Sequence, residues 1–272
     1  MKLIAGIQVF NEAFYVRSCL ENLYPYFDLL VFCDGAWART RVLSGASGST
    51  DGTIELIKSF PDPKNKILLL RYSGPNQEAH RQRCLEVAID YGKKLCKKNE
   101  EMFYLLGDAD EFFFNKDLKN FKSNLKGIQG DAFRFPWNLY WNDFFTYEMS
   151  SSPGRLFRIT KGCKANGTCG LEYKDKKRYK PVLSEILRIY HPSYTKPLNR
   201  QALKFSYRTT TAKRFPHVLD KGIVYRGNGY PTFDDWYKSL KHGSIEELPE
   251  VMRKHYFTHL KWSYEGKVVT GL

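Results

Sequence analysis

The segment FYLLGDADEFFF, residues 103–114, decides how this chain is organised. Its first part has the character of a buried strand and ends at Gly107, and an Asp-Ala-Asp-Glu run follows at once. Side chains two positions apart share a face on an extended backbone, so Asp108 and Asp110 are expected to point the same way. Two carboxylates that close repel each other unless a cation or a proton lies between them. The pair therefore predicts a site for Mn²⁺ or Mg²⁺, which prefer oxygen ligands, whereas an isolated Asp-x-Asp is more often a solvated turn.

Strands and helices alternate ahead of that segment. In chain order, the pattern predicts a strand at 3–9, a helix carrying Val16, Leu20 and Leu23, a strand at 29–33, a loop at 36–53, a helix at 53–59, a strand at 67–72 and a helix at 77–98. Such alternation is typical of an α/β fold with a mostly parallel sheet and helices on both faces.

Polar residues follow three of these predicted strands. Asn11 and Glu12 follow the first, Asp34 and Gly35 follow the second, and the acidic run at 108–111 follows the fourth. In parallel sheets, ligands bind beyond the carboxyl ends of the strands. We therefore expect these three groups to converge on one crevice.

Composition limits the protein class. The chain has 272 residues, of which 42% are hydrophobic, enough for one large domain. Its six cysteines show no C-x-x-C spacing, and its apolar runs are strand-sized, so we expect a cytoplasmic protein without an integral membrane segment. The net charge of +14 favours a polyanionic partner such as nucleic acid, an anionic membrane surface or a phosphorylated substrate.

The pattern changes near residue 131 to aromatic segments, glycine-rich turns and basic stretches. We expect residues 1–130 to form a nucleotide-binding half, and 131–272 to form an acceptor-binding and catalytic half of the same domain. The candidate acceptor contacts are aromatic rings that can stack on sugars or bases, and a basic cluster that can meet anions: Trp137, Trp141, Lys176, Lys177 and Arg178. Core packing is the alternative for the tryptophans, and a solvated face is the alternative for the basic cluster.

Taken together, these segments resemble the family-2-like glycosyltransferases of the GT-A fold, in order through residues 3–205. Members combine a Rossmann-like nucleotide-binding domain with an Asp-x-Asp metal site. The resemblance implies metal-dependent transfer of a sugar from a nucleotide-diphosphate donor, expected to be a UDP-sugar, to a hydroxyl acceptor with inversion. It also implies Mn²⁺ or Mg²⁺ as the cofactor.

The resemblance assigns the donor site to several segments. The strand end at Phe10, Asn11 and Glu12 would hold the nucleoside. Asp34-Gly35 and Ser49-Thr50-Asp51-Gly52-Thr53 look like one signature that is split here by an insertion from Ala36 to Gly48. Asp34 would accept from the imide N–H of the base, and Asp51 would support the nucleotide loop. Arg81, in a segment where Gln82 replaces the usual Asn, would reach the diphosphate unless it is a solvated helix residue.

The same resemblance assigns the reaction centre. Asp110 would bind the metal, Asp108 would bind the metal or the ribose, and Glu111 would orient the loop. His191 would be the third metal ligand, with His259 as its rival. The catalytic base would be Glu172, although Leu171 stands where members have His, and Asp143 is the second candidate. A base is needed because an inverting transfer must remove the proton of the attacking hydroxyl.

Three identities for the acceptor and the activity stay open at this stage. A glycan or lipid-linked sugar is the commonest acceptor in the family. A DNA glycosyltransferase acting on a hydroxylated base is the alternative, because the second half is basic and aromatic. The third is a non-catalytic nucleic-acid-binding protein on a degenerate transferase scaffold. The intact Asp108 and Asp110 pair argues against it, since carboxylates beside a polyanion add only repulsion.

Overall fold

The computed structural model describes residues 1–141, 144–167, 170–173, 181–195, 217–220, 223–226 and 239–255. Strands and helices of the first half alternate as the sequence predicts, with one additional short helix between the second and third strands. In chain order they are β1 (Lys2–Val9), α1 (Val16–Leu23), β2 (Leu29–Asp34), α2 (Ala38–Ser44), α3 (Thr53–Lys58), β3 (Ile67–Arg71), α4 (Gln77–Leu95), β4 (Met102–Asp108) and α5 (Asn115–Lys126).

Strands dominate the described part of the second half. They are β5 (Ala132–Arg134), β6 (Pro136–Trp141), β7 (Thr146–Ser151), β8 (Leu156–Ile159), β9 (Lys164–Asn166), β10 (Gly170–Glu172), β11 (Val182–Leu183), β12 (Ile189–Tyr194), β13 (His217–Asp220), β14 (Ile223–Arg226) and β15 (Lys241–His242). A 3₁₀ helix (Ile245–Glu247) and α6 (Glu250–His255) follow.

A seven-stranded sheet forms the centre, in the order β11-β5-β8-β4-β1-β2-β3. The pairs among β4, β1, β2 and β3 are parallel, as is the β11–β5 pair, and β8 runs antiparallel to β4 and β5. A smaller sheet, β12-β6-β7-β15, stands beside it. The predicted α/β class with a mostly parallel, Rossmann-like sheet is confirmed.

Helices cover both faces of the central sheet. Side chains of β1 alternate, so that Leu3 and Ile7 pack in one buried cluster with α1 and α5, whereas Ile4 packs in the other with α4. Both clusters consist of residues that are almost fully buried, which is the expected pattern for strands covered on both sides. Among the described residues, no helix has the length and the apolarity needed to cross a membrane.

The insertion between the two parts of the signature is not only a loop. It contains the short helix α2, which ends at Gly45 in the left-handed conformation, with φ of 70°. Val42 on this helix is 83% exposed, while Thr40 is buried. The prediction of a loop was wrong here because α2 turns apolar side chains outward, so the sequence lacks the apolar stripe that marks an amphipathic helix.

Candidate functional site

The carboxyl ends of the parallel strands bring the predicted polar residues to one edge of the sheet. The register pairs Gln8 with Asp108, Val9 with Asp34, and Asp34 with Arg71. Strand ends that are aligned in this way place the residues after them in a common crevice. The convergence expected from the sequence is therefore present.

A cleft of about 690 Å³ opens at this edge. Its size is that of a small-molecule site. Six of the predicted site residues line it, namely Phe10, Glu12, Gly35, Asp108, Asp110 and His191. Other walls come from the insertion, from the start of α4 and from the β9–β10 hairpin, through Trp37, Arg39, Thr40, Asn76, Gln77, Glu78, His80 and Gly167.

Asp110 and His191 both line the cleft and lie next to each other. His191 Nε2 lies 3.0 Å from Asp110 Oδ1, and both side chains are nearly buried. A two-way backbone bridge explains how residues 81 positions apart meet. Phe112 N–H donates to the Tyr190 carbonyl, and Tyr190 N–H donates to the Phe112 carbonyl, each at 2.9 Å. The bridge fixes the turn after β4 against β12.

Asp108 is held by two arginines. Arg81 Nη2 donates to Asp108 Oδ1 at 2.9 Å, and Arg155 Nη2 approaches Asp108 Oδ2 at 3.3 Å. Burial alone would raise the pKa of Asp108, but the two guanidinium groups outweigh it and hold that pKa below its usual value. Arg81 is 1% exposed and does not line the cleft, so in this structure its guanidinium faces a carboxylate.

Glu111 lies behind this pair and completes a buried network. Arg155 Nη2 donates to Glu111 Oε1 at 2.5 Å, and the Asp108 N–H donates to Glu111 Oε2 at 3.3 Å. Burial raises the pKa of Glu111 to about 7, with Asp108 and Asp110 adding to the shift and Arg155 opposing it. The contacts of Glu111 agree with a role in orienting the acidic turn. Sequence reasoning gave Arg155 no role.

The second part of the split signature is tied to the segment after β1 by bonds between side chains and backbone. Asn11, in the left-handed region at φ of 56°, donates its N–H to Ser49 Oγ and accepts from the Thr50 N–H through Oδ1, both at 2.8 Å. Asp51 accepts from the N–H groups of Ala13 at 3.1 Å and Thr53 at 3.2 Å. Asp51 thus fastens the start of α3 to the segment after β1.

Asp34 is fully buried, and described neighbours occupy both of its oxygens. Ser49 N–H donates to Oδ1 at 3.2 Å, and Arg71 Nε lies 3.1 Å from Oδ2. Asp34 therefore does not line the cleft, whereas its neighbour Gly35 does. A Cβ atom at Gly35 would be 2.0 Å from the Tyr72 carbonyl oxygen, so only glycine fits this approach.

His80 is a cleft residue to which sequence reasoning gave no role. Its Nε2 lies 2.5 Å from the Tyr72 carbonyl oxygen, which indicates an Nε2–H tautomer that donates this bond. Burial lowers the pKa of His80. A neutral imidazole therefore ties the start of α4 to the end of β3 beside Gly35.

Glu172 lies on the β9–β10 hairpin, where its Oε2 accepts from Asn166 Nδ2 at 2.9 Å. Glu172 itself does not line the cleft, but Gly167 in the same hairpin does. Two side chains of α4 hold the hairpin in place. Gln82 Oε1 accepts from the Ala165 N–H, and Glu78 Oε2 accepts from the Gly167 N–H, each at 2.8 Å.

The remaining predicted residues fall in two groups. Trp137 and Trp141 belong to β6; Trp141 is 1% exposed, Trp137 is half-buried, and neither lines the cleft. The others lie outside the described residues, namely Asp143, Lys176, Lys177, Arg178 and His259.

The chemistry of Asp110 and His191 fits a divalent cation. A carboxylate oxygen and an imidazole nitrogen are ligands that such ions accept, and the two atoms that would hold the ion, Asp110 Oδ1 and His191 Nε2, are hydrogen-bonded to each other at 3.0 Å in this structure. The described residues contain no group of three or more His, Cys, Asp or Glu side chains placed to hold a metal. Mg²⁺ and Mn²⁺ commonly use one or two carboxylates and complete their shell with water and substrate phosphates, so two protein ligands suffice.

No protein-family model matches this chain, and a search of curated proteins also found no match. Among solved structures, the chain is similar to residues 1–349 of S. aureus TarS in complex with UDP, with 17% identity and a TM-score of 0.37, over 52% of this chain and 36% of that chain. The same TarS fragment in complex with UDP-GlcNAc gives 17% identity and a TM-score of 0.35, over 52% and 35% of the two chains. The chain thus spans only about a third of the length of these structures.

Proposed function

We propose that this chain is a metal-dependent glycosyltransferase that moves a sugar from a UDP-sugar to a hydroxyl acceptor with inversion. The observation that supports this most is the Asp110–His191 pair, 3.0 Å apart on a cleft at the carboxyl edge of a parallel sheet. A nucleotide-diphosphate ligand fits this place, because such edges bind nucleotides and because a diphosphate supplies oxygens to a hard cation.

The donor nucleoside would lie against the wall formed by Phe10, Glu12 and Gly35. Gly35 has no side chain, so a ligand can approach the backbone closely there. Asn11 and Asp51 would contribute indirectly to donor binding, because they hold in place the loop that carries this wall. Asp34 would support the same wall from within the sheet, and its bonding to the base stays a prediction.

Asp110 and His191 would hold the Mn²⁺ or Mg²⁺ ion. When it is bound, the ion offsets the negative charge that develops on the departing diphosphate. Asp108 would orient the turn or meet the ribose, since two arginines already neutralise it. Arg155 and Glu111 would keep the turn in place when the donor binds and leaves.

Glu172 would be the catalytic base. The acceptor oxygen forms a bond to C1 of the sugar on the face opposite the leaving group, and the bond from C1 to the diphosphate oxygen breaks. The acceptor proton passes to the Glu172 carboxylate as attack proceeds. The tethers from α4 support this role, because they hold the β9–β10 hairpin, which carries Glu172 and which contributes Gly167 to the cleft wall.

The acceptor we favour is a hydroxyl of a glycan or of a lipid-linked sugar. The net charge of +14 supports a second candidate, a hydroxylated base in DNA. To enter a cleft of this size, the base would have to be extruded from a duplex or belong to a single strand.

A donor-hydrolysis screen tests the proposal. The purified chain is incubated with a panel of nucleotide sugars and Mn²⁺, and the released nucleoside diphosphate is measured with and without a chelator. We expect release from a UDP-sugar that stops on chelation. Hydrolysis that persists after exhaustive chelation would contradict the metal role, and no release from any nucleotide sugar, with or without glycan and DNA acceptors, would contradict glycosyl transfer.

A further inference from the structure

Trp137 contacts the proposed metal ligand. Its ring stacks on the imidazole of His191, with centroids 4.9 Å apart and planes inclined by 13°. The guanidinium carbon of Arg155 lies 5.9 Å from the Trp137 ring centroid. Trp137 therefore contacts both the imidazole of His191, which lines the cleft, and the arginine that holds the acidic turn.

Strand pairing explains why these side chains meet. Strand β12 runs parallel to β6 and pairs His191 with Leu139, and the register becomes irregular directly after His191. Trp137 lies two residues before Leu139, so both side chains point from the same face of β6. The imidazole of His191 is thus a diagonal neighbour of the indole of Trp137. The regular pairing of β12 with β6 ends at His191.

A stacked indole restricts the motion of the imidazole plane. A histidine that binds a metal must present one nitrogen in a defined direction, and neighbouring groups usually fix that direction. Asp110 contacts the edge of the His191 ring at Nε2, and Trp137 covers a face of the same ring. The two contacts together fix the orientation of the His191 ring, which could still rotate if Asp110 were its only contact.

We infer that Trp137 is a positioning residue that holds His191 in its metal-binding orientation, rather than a platform on which the acceptor stacks. The inference rests on the proposed function, because it requires a divalent cation at Asp110 and His191. It assigns Trp137 to the metal site and thereby removes it from the acceptor contacts expected from the sequence.

The test compares Trp137→Leu, which removes the aromatic face, with Trp137→Phe, which keeps a ring. Mn²⁺ is titrated calorimetrically into the full chain in the presence of UDP, and thermal unfolding verifies that each variant is folded. Tyr91→Leu is the matched control, because Tyr91 is a 43% exposed aromatic residue on α4, away from the cleft. Loss of a supporting partner typically weakens metal binding by about 10–100-fold.

We expect Trp137→Leu to weaken Mn²⁺ binding by about tenfold or more, with Trp137→Phe closer to the unmodified chain and Tyr91→Leu unchanged. Unchanged Mn²⁺ affinity in Trp137→Leu would overturn the inference and leave the proposed function standing. If the unmodified chain binds no Mn²⁺ with UDP present, both the proposed metal site and the inference fall. If Trp137→Leu does not fold, Trp137→Met, which also lacks an aromatic face, takes its place, and unchanged Mn²⁺ affinity in that variant overturns the inference.

Discussion

Arg155 offers the most direct test of how the acidic turn is held. Its guanidinium is 2% exposed and lies 2.5 Å from Glu111, whose side chain is equally buried. It also lies 3.3 Å from Asp108, which keeps a second partner in Arg81 at 2.9 Å. The substitution Arg155→Met removes the charge, keeps much of the volume and leaves Glu111 as a buried carboxylate without its arginine.

The expected loss follows from these distances. Two unit charges about 4 Å apart interact by about 4 kcal/mol at an effective dielectric constant near 20. Removing one partner of a buried ion pair typically costs about 3–5 kcal/mol when the other charge stays buried. Burial already raises the pKa of Glu111 to about 7, and without Arg155 that pKa rises further, so Glu111 can take up a proton near neutral pH. We therefore expect Arg155→Met to lower the free energy of unfolding by up to about 3–5 kcal/mol, with the larger loss at alkaline pH.

Urea unfolding followed by circular dichroism measures this change. Arg158→Met is the matched control nearby in the chain, because Arg158 is 39% exposed and its partners Glu101 and Asp131 are about half exposed. Exposed pairs contribute about 0–1 kcal/mol, so the control should lose little. Adding Glu111→Gln to Arg155→Met removes the buried charge and should recover part of the lost stability. The reasoning would be refuted if Arg155→Met lost no more than the control, or if the double variant were less stable than Arg155→Met alone.

Three further predictions concern the base, the buried histidine and the acceptor. Glu172→Gln should lower turnover by about a hundredfold or more while UDP binding is kept. The control Glu185→Gln, at a 73% exposed site, should keep normal turnover. Normal turnover of Glu172→Gln would reject Glu172 as the base. Because the folded-state pKa of His80 lies below its ordinary value of 6.5, the unfolded chain takes up its proton first as the pH falls, so stability should decrease below about pH 6.5. His80→Gln should flatten that decrease in urea unfolding at several pH values, and an unchanged pH slope would speak against the burial of a neutral imidazole. With a glycan acceptor, DNA affinity measured from about 50 to 200 mM salt should vanish near physiological ionic strength, and sugar transfer to DNA would reverse the choice of acceptor.

The location of the site could be predicted from the sequence because it depends on local patterns. Apolar strands followed by Asn11, Asp34 and Asp108 are visible as short runs, and parallel topology then brings their ends together. The same local reasoning predicted α1, α3 and α4 within a few residues. Leu95 in the last turn of α4 is 42% exposed, because ten residues of helix rotate it by about 80° away from the buried Leu85.

The contacts that shape the cleft could not be predicted in this way. Arg155 meets Asp108 across 47 positions of sequence, and Trp137 meets His191 through the pairing of β6 with β12. Nothing in the periodicity of either segment records such a pairing, because periodicity reports which face is buried and not what lies opposite. Arg155 directly precedes β8 and does not lie within its apolar run, so the sequence gives no local sign of the buried ion pair.

Binding of UDP with and without Mn²⁺, to the unmodified chain and to Asp110→Asn, tests the central claim most directly. The asparagine keeps the shape of Asp110 but removes the charge that a cation needs beside His191. Calorimetry should show UDP binding that strengthens markedly with Mn²⁺ in the unmodified chain and loses this dependence in Asp110→Asn, while both proteins unfold cooperatively. Equal UDP affinity with Mn²⁺ and with a chelator in the unmodified chain, or full Mn²⁺ dependence in Asp110→Asn, would contradict a metal-dependent nucleotide site at Asp110 and His191.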